Sequence, residues 1–441
     1  MKKAILPALA GAMLFLGACS SEEPVKPEAS LQKGEPTYTA FSIKMNTPAA
    51  RAAEDDDNAD AVEQSISDIN IYIFSGGVLE VMSKPEINDY VTVPVAVSTG
   101  EKVIYAVATD LLDGDNAIAF TEESTLLTTF ESTLFNALEE KTAQSEAFTM
   151  IGRTKATITK CTEAQALQNP VKIDVDRAAA KLQVKYGEGV TVRETLKATF
   201  GSACFTPAQQ ARQMYVTLGS NYTPLGTAIR NNGTYPGLLS VAAAYADEDM
   251  KAAVEDYDAA FEANAYTGEC VVAAPTTGNT TFALVRVKCT PTGKLYGNKS
   301  LPADGTFWVA ARNYAETATW IFASDAEYNM IYFANEADAK KYITDNKLGS
   351  DYKAYKYDKG QAYYRVNLMN DPESEDLSLK YRVVRNNYYR VNITAIKALG
   401  APTGTGVVPT DPDTPIEQDS WMAAEITVKP WTAHEQNTEL Q

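Results

Sequence analysis

At 441 residues with 45% apolar side chains, the chain exceeds what one hydrophobic core usually supports and is too apolar for a disordered polymer, so two globular domains are expected. The 57 acidic residues outnumber 39 Lys and Arg, for a formal net charge of -18. With no basic cluster to neutralise phosphates, this balance argues against nucleic acid and is the kind that keeps a protein soluble.

The chain opens with Lys2-Lys3 and an apolar run from Ala4 to Ala18, too short to span a bilayer and typical of a secretory signal. The run ends in Leu16-Gly17-Ala18-Cys19, which resembles the lipobox of bacterial lipoproteins. By that resemblance Cys19 would be acylated, an anchor that does not cross the membrane. Cys161, Cys204, Cys270 and Cys289 are too sparse for a disulfide framework and lack CxxC spacing; they read as buried free thiols, with one bridge left open.

A polar, proline-bearing leash follows Cys19, and then Thr39, Phe41, Ile43 and Met45 alternate with polar or small residues, predicting a strand. Behind it comes an acidic loop, Pro48 to Asn58, whose only basic residue is Arg51. A trypsin-like protease cutting after Arg51 would detach leash and strand together; an ordinary surface arginine is the competing reading. The acidic run lacks the glycine and spacing of an EF-hand calcium loop.

From Ile66 onward the spacing predicts strand after strand, at Ile69 to Phe74, Tyr90 to Val97 and Lys102 to Ala108, the pattern of a sandwich. Leu126, Leu127, Phe130, Leu134 and Leu138 predict a helix over Glu122 to Leu138. A strand from Val171 to Val184 closes the first half, and the domain boundary is expected just after it. In the second half, strands are expected over Val190 to Phe200, Thr281 to Cys289, Thr306 to Ala311, Gly360 to Leu368 and Tyr381 to Gly400, with helices over Leu238 to Tyr257 and Glu336 to Asp345.

Beyond Gly400 the prolines and glycines up to Pro415 predict an extended tether, spanning about 50 Å at full reach. A compact body of this size has a radius of gyration of about 21 Å. The final stretch puts Met422, Ala424, Ile426 and Val428 on one face, flanked by Trp421 and Trp431. This strand either leaves its own subunit or folds back on its own domain.

The segment Val383-Val384-Arg385-Asn386-Asn387-Tyr388-Tyr389, followed by Ile396 to Gly400, a proline-rich linker and Val428-Lys429-Pro430-Trp431, resembles the shaft pilins of Bacteroidales type V fimbriae (the fimbrillin family). Val175-Asp176-Arg177-Ala178-Ala179-Ala180-Lys181, the lipobox and Ala50-Arg51-Ala52 fit the same resemblance. It implies a mainly β chain of two transthyretin-like β-sandwich domains with a few surface helices, plus an extended C-terminal donor strand. The implied divisions are a signal peptide at 1–18, a lipidated leash and removable first strand at 19–51, domains at 52–185 and 186–408, and linker and donor strand at 409–441.

The resemblance also implies a lipoprotein precursor that passes via the outer membrane to a fimbrium on the cell surface. An arginine-specific protease would cut between Arg51 and Ala52 and remove the strand bearing Thr39, Phe41, Ile43 and Met45. A neighbour's Trp421, Met422, Ala424, Ile426, Val428 and Trp431 would then fill the groove. Partners would be identical or related pilins, anchor and tip pilins and the protease, in support of adhesion and biofilm formation. The alternative is a monomeric surface lipoprotein or tip adhesin that binds glycan or a host protein.

No catalytic signature competes with these readings. The single histidine, His434, lies in the tail, and there is no CxxC, GxSxG or P-loop, so neither a cofactor nor a metal site is expected. Tyr363, Tyr364, Tyr388 and Tyr389 could line a glycan site, but adjacent tyrosines in strands are expected to place one ring in the core and one outside.

Overall fold

The computed structural model describes residues 34–45, 63, 65–66, 68–108, 122–123, 130–131, 148–210, 214–215, 250–257, 263–416 and 422–430. The first strands are β1 (Pro36–Thr39) and β2 (Phe41–Met45), then β3 (Ile69–Ser75), β4 (Val78–Ser83), β5 (Ile87–Asn88), β6 (Val91–Thr92), β7 (Val95–Ser98), β8 (Gly100–Ala108), β9 (Phe130–Glu131) and β10 (Met150–Ile158). Helix α1 (Glu163–Gln168) leads into β11 (Val171–Arg177). Eight strands form one sheet in the order β4-β3-β8-β10-β11-β2-β6-β5, while β1 pairs with β7 in a small second sheet. Val95 and Val97 of β7 share a core with Phe41 and Ile43 of β2, Ile69, Ile71 and Ile73 of β3, and Ile173 and Val175 of β11. The other face of β3 is buried too, where Tyr72 and Phe74 pack with Tyr105 and Val107. That burial on both faces is why Ile69 to Phe74 reads as a nearly continuous apolar run.

The second body contains β12 (Ala180–Lys185), β13 (Thr191–Val192), β14 (Ala198–Ala208), β15 (Met214–Tyr215), β16 (Lys251–Ala252), β17 (Ala265–Thr267), β18 (Phe282–Pro291), β19 (Phe307–Tyr314) and β20 (Thr319–Phe322). Helix α2 (Glu336–Asp345), β21 (Lys353–Tyr357), β22 (Gln361–Asn367), the short helix α3 (Leu377–Lys380), β23 (Asn387–Ile396) and β24 (Met422–Pro430) complete it. One sheet has β17, β12 and β23 in order, with β13 continuing the β12 edge and β24 on the far side of β23; another runs β16-β14-β18-β22. Leu182, Val184, Phe205, Val285, Val287, Tyr364, Val391 and Ile393 from both, with Phe307 from the β20-β19-β21 sheet, form the larger core. The chain is therefore mainly β and built of several sheets, as the resemblance implied.

Helix α2 occupies the range read from the sequence, started by the Asn335 side chain accepting from the Asp338 backbone N–H. Other expectations are corrected. Of the helix expected over Glu122 to Leu138, most lies outside the described residues, and Phe130–Glu131 is strand paired with Met214–Tyr215. Of the helix expected over Leu238 to Tyr257, Lys251–Ala252 is strand, paired with Cys204 and Phe205. Pairing partners distant in the chain, 83 and 85 residues for β9 with β15 and 46 and 48 for β16 with β14, overrode the local spacing there. The capping box of Thr162 and Gln165, which starts α1, escaped the sequence reading.

The stretch from Val171 to Val184 is two strands rather than one. β11 lies in the first sheet and β12 in the second, so the chain changes bodies at Ala178–Ala179, before the expected boundary at 185. Both alanines are buried, and their small side chains let the crossing pass between two packed sheets.

Candidate functional site

The first strand of the expected removable segment is interrupted. Thr39 ends β1 and belongs to a different sheet from Phe41, Ile43 and Met45, because Ala40, itself buried, carries the chain from one layer to the other. β1 runs antiparallel to β7, Thr39 opposite Val95. β2 runs parallel to β11, with Phe41, Ile43 and Met45 opposite Val171, Ile173 and Val175. Its other edge meets β6 at Ser42 and Val91. Phe41 and Ile43 are fully buried and Met45 half-buried.

Polar groups line this slot and match the backbone it holds. The Phe41 N–H donates to Thr92 Oγ1 at 3.0 Å, Ile43 N–H to the Tyr90 carbonyl at 2.9 Å and Val171 N–H to the Ala40 carbonyl at 2.8 Å. On the β1 side, Thr37 accepts from the Cys161 backbone N–H at 2.8 Å, and the Cys161 thiol donates to the Tyr38 carbonyl at 3.1 Å. The β7 wall is held by Lys102, whose Nζ lies 2.6 Å from Glu80 Oε2 and 3.0 Å from Ser98 Oγ. Burial by itself raises the Glu80 carboxyl, but the hydrogen bonds from Lys102 and Ser98 outweigh it and hold it below the usual carboxylate range.

Two expected outcomes follow directly. Phe41→Ala should destabilise the intact chain by about 3–5 kcal/mol through loss of a buried ring; urea unfolding of variant and parent reads the difference. Cys161 should react several-fold faster with a thiol reagent once β1 is removed, measured by mass spectrometry of the labelled protein. An unchanged labelling rate would mean that β1 stays in place after cutting.

The tail strand lies on its own domain. β24 pairs antiparallel with β23 along its length, Met422 opposite Ile396, Ala424 opposite Ile393, Ile426 opposite Val391 and Val428 opposite Tyr389. Met422 is buried, and Ala424 and Ile426 pack on the larger core. Cys19, Arg51, Ala52, Trp421 and Trp431 lie outside the described residues. The extended tether expected between Gly400 and Pro415 is corrected as well, since this stretch is laid along the second body. Tyr363 and Ala401 exchange two backbone hydrogen bonds of 2.8 Å, and Trp320 Nε1 donates to the Gly406 carbonyl at 3.0 Å.

The two motifs that carried the resemblance meet at the junction of the bodies. Arg177 Nη1 donates to Asn386 Oδ1 at 3.1 Å, and Asn386 Nδ2 to Asp176 Oδ1 at 2.9 Å. Glu63 enters the same cluster. Its carboxylate pairs with Lys181 at 3.1 Å with both side chains fully buried, and it accepts the Tyr266 hydroxyl. Its carbonyl accepts from Arg177 Nε at 2.6 Å. Burial lowers the Arg177 guanidinium to about 10, against the pull of Glu63, Tyr266 and Asp176. Nothing in the sequence flagged Glu63, one acidic residue among many.

Tyr388 and Tyr389 also depart from expectation, because both are buried. β23 is covered on both faces: Tyr389 packs into the larger core and Tyr388 into the smaller one beside Tyr266. Tyr364 is buried and Tyr363 half-buried beneath the 400–416 stretch. These rings are structural, which removes the basis for a tyrosine-lined glycan site. All four cysteines of the body are free; burial raises the thiols of Cys270 and Cys289. Among the described residues no His, Cys, Asp and Glu cluster is arranged for a metal ion, and no helix is long and apolar enough to cross a membrane.

Residues 355–437, which include β22, β23 and the tail strand, match the family described as major fimbrial subunit protein type IV, fimbrillin, C-terminal. That part of the chain is similar to the fimbrillin C-terminal family. The region of the match holds both the Arg385 to Tyr389 motif and the strand pair β23–β24. The fimbrillin resemblance extends over the rest of the chain: the minor fimbrium subunit Mfa1 of Porphyromonas gingivalis is 24% identical, with 98% of this chain and 99% of that one covered. The crystal structure of a fimbrilin (FimA) from Porphyromonas gingivalis shares the fold, with a TM-score of 0.50, 15% identity, and coverage of 92% of this chain and all of that one. A putative cell adhesion protein from Parabacteroides distasonis matches over 90% of this chain and 99% of its own, at 14% identity and a TM-score of 0.47.

Proposed function

We propose that this chain is a structural subunit of a surface fimbria that polymerises by protease-triggered strand exchange. The observation that carries the reading is the place of β1 and β2. They are the N-terminal strands, they fill a slot between β7 and β11, and Arg51 lies between them and the rest of the body. A cut after Arg51 frees a segment that touches both layers. Its loss uncovers the apolar positions facing Phe41 and Ile43, each worth roughly 1.5–3 kcal/mol when refilled. It also leaves the β11 edge with unpaired backbone groups, a template for another strand.

The replacement is the tail of a second copy, with Met422, Ala424, Ile426 and Val428 in the roles of Phe41, Ile43 and Met45. In the precursor the tail covers its own β23 edge, so donation begins with release of β24. Cys19 tethers the precursor as a lipoprotein until cleavage, and the products join anchor and tip pilins in an adhesive fibre. A chain with both an opening slot and a donor strand suits an internal position in the shaft. The test is deletion of residues 420–441: the trimmed protein should remain monomeric on SDS gels and by light scattering, and assembly equal to that of the parent would overturn the donor role.

A further inference from the structure

The 400–416 stretch has the composition of a free tether but the contacts of a fixed part. Besides the paired Tyr363 and Ala401, Thr410 N–H donates to the Ala315 carbonyl at 2.8 Å and Thr277 N–H to the Thr414 carbonyl at 3.0 Å. Thr414 Oγ1 donates to the Glu316 carbonyl at 2.9 Å. Val407 and Ile416 are buried. Two glycines serve close backbone approach rather than looseness. A Cβ at Gly400 would come within 2.4 Å of the Tyr363 carbonyl oxygen, and one at Gly278 within 2.6 Å of Pro412. The stretch is folded onto the domain rather than stretched out, with a 3-10 turn at Gly404–Val407.

We propose that residues 401–416 are a strap that stays on its own subunit when the tail strand is donated, so that a partner copy must present its opened slot close to Ile416. The inference rests on the strand-exchange reading and adds a geometric limit to it. Six residue steps separate Ile416 from Met422, a reach of about 20 Å at full extension rather than the 50 Å of a free tether. The donor therefore passes only to a second copy docked against the face where the strap ends. The strap's contacts bury side chains and pair backbone groups on both sides, whereas β24 is an edge strand whose bonds run to β23 alone among the described strands.

The experiment uses two disulfide locks in the full chain, each verified by intact mass and each trimmed after Arg51. Thr276 and Pro415 face each other across an antiparallel bridge, flanked by the Thr277 to Thr414 hydrogen bond rather than bonded to each other. Such a pair brings Cα atoms to about 4.5 Å, within disulfide range. The Thr276→Cys, Pro415→Cys protein should assemble to the same extent oxidised and reduced. Tyr363→Cys with Ala401→Cys provides a second strap lock should the first fail to fold. The companion lock, Ile393→Cys with Ala424→Cys, joins β23 to β24 and should assemble only after reductant is added. A strap-locked protein that stays monomeric until reduced would overturn the fixed strap while leaving strand exchange intact. A tail-locked protein that assembles while oxidised would overturn strand exchange itself.

Discussion

Arg51→Ala should leave the purified precursor monomeric under conditions in which a trypsin-like protease turns the parent into a ladder of SDS-resistant oligomers. The reason lies in the slot. While β2 is in place, Phe41 and Ile43 are buried and the β11 edge is paired, so a second strand has nowhere to bind. After a cut at Arg51 the segment is held only by noncovalent contacts, and a tail with the same apolar spacing competes for the same pocket. The fraction of protein in oligomers should fall from most of the sample to a background level in the variant, read on unboiled gels. Ladders of equal strength from Arg51→Ala would mean that cleavage elsewhere, or none, opens the slot. Ala52 as the amino-terminal residue of cell-surface material, found by mass spectrometry, is the matching result in the cell.

The second large effect falls at the junction. Glu63→Ala should destabilise the protein by about 3–5 kcal/mol, because it leaves the Lys181 ammonium buried without its carboxylate. It also withdraws the acceptor of the Tyr266 hydroxyl. Replacing both charges, Glu63→Leu with Lys181→Met, should lose much less than the single change, since a well-packed apolar pair can match a buried ion pair. The midpoint of urea unfolding, with the slope checked for constancy, separates these outcomes. A loss below about 1 kcal/mol for Glu63→Ala would show that the pair is solvated, as exposed ion pairs contribute no more than that. Glu63 lies twelve residues beyond Arg51, so the junction survives the cut, and mature and precursor forms should respond alike.

Much of this protein was legible in its residues where the local pattern and the tertiary environment agree. The alternation at Phe41, Ile43 and Met45 predicts a half-buried strand, and one is found. Gln361 to Asn367, within the expected Gly360 to Leu368, behaves likewise, and so does α2, where Asn335 provides the start signal; of the strand expected over Tyr381 to Gly400 only Asn387 to Ile396 is strand, and it is covered on both faces. Legibility fails where partners are distant. Phe130 has helical spacing with its neighbours, yet its bonding partner is Tyr215. Thr39 continues the pattern of Phe41, yet it pairs with Val95 in another sheet. The run from Val171 to Val184 looks like one strand because no glycine or proline interrupts it; only the sheets reveal that it is shared between two bodies.

What the sequence determined by itself was the inventory: a mainly β chain without catalytic signatures, a first strand ahead of Arg51, and a last strand with matching spacing. These follow from period, composition and single residues, which are local properties of the chain. What only the tertiary structure decided was where each piece sits. It placed the tail on β23, pinned the proline-rich stretch as a strap, split the first strand across two layers, and drew Glu63, Arg177, Lys181 and Asn386 into one buried cluster. Glycine and proline show why the difference arises. Their conformational limits are written in the chain, but whether those limits loosen a tether or fit a backbone closely against its own domain depends on the surface it meets.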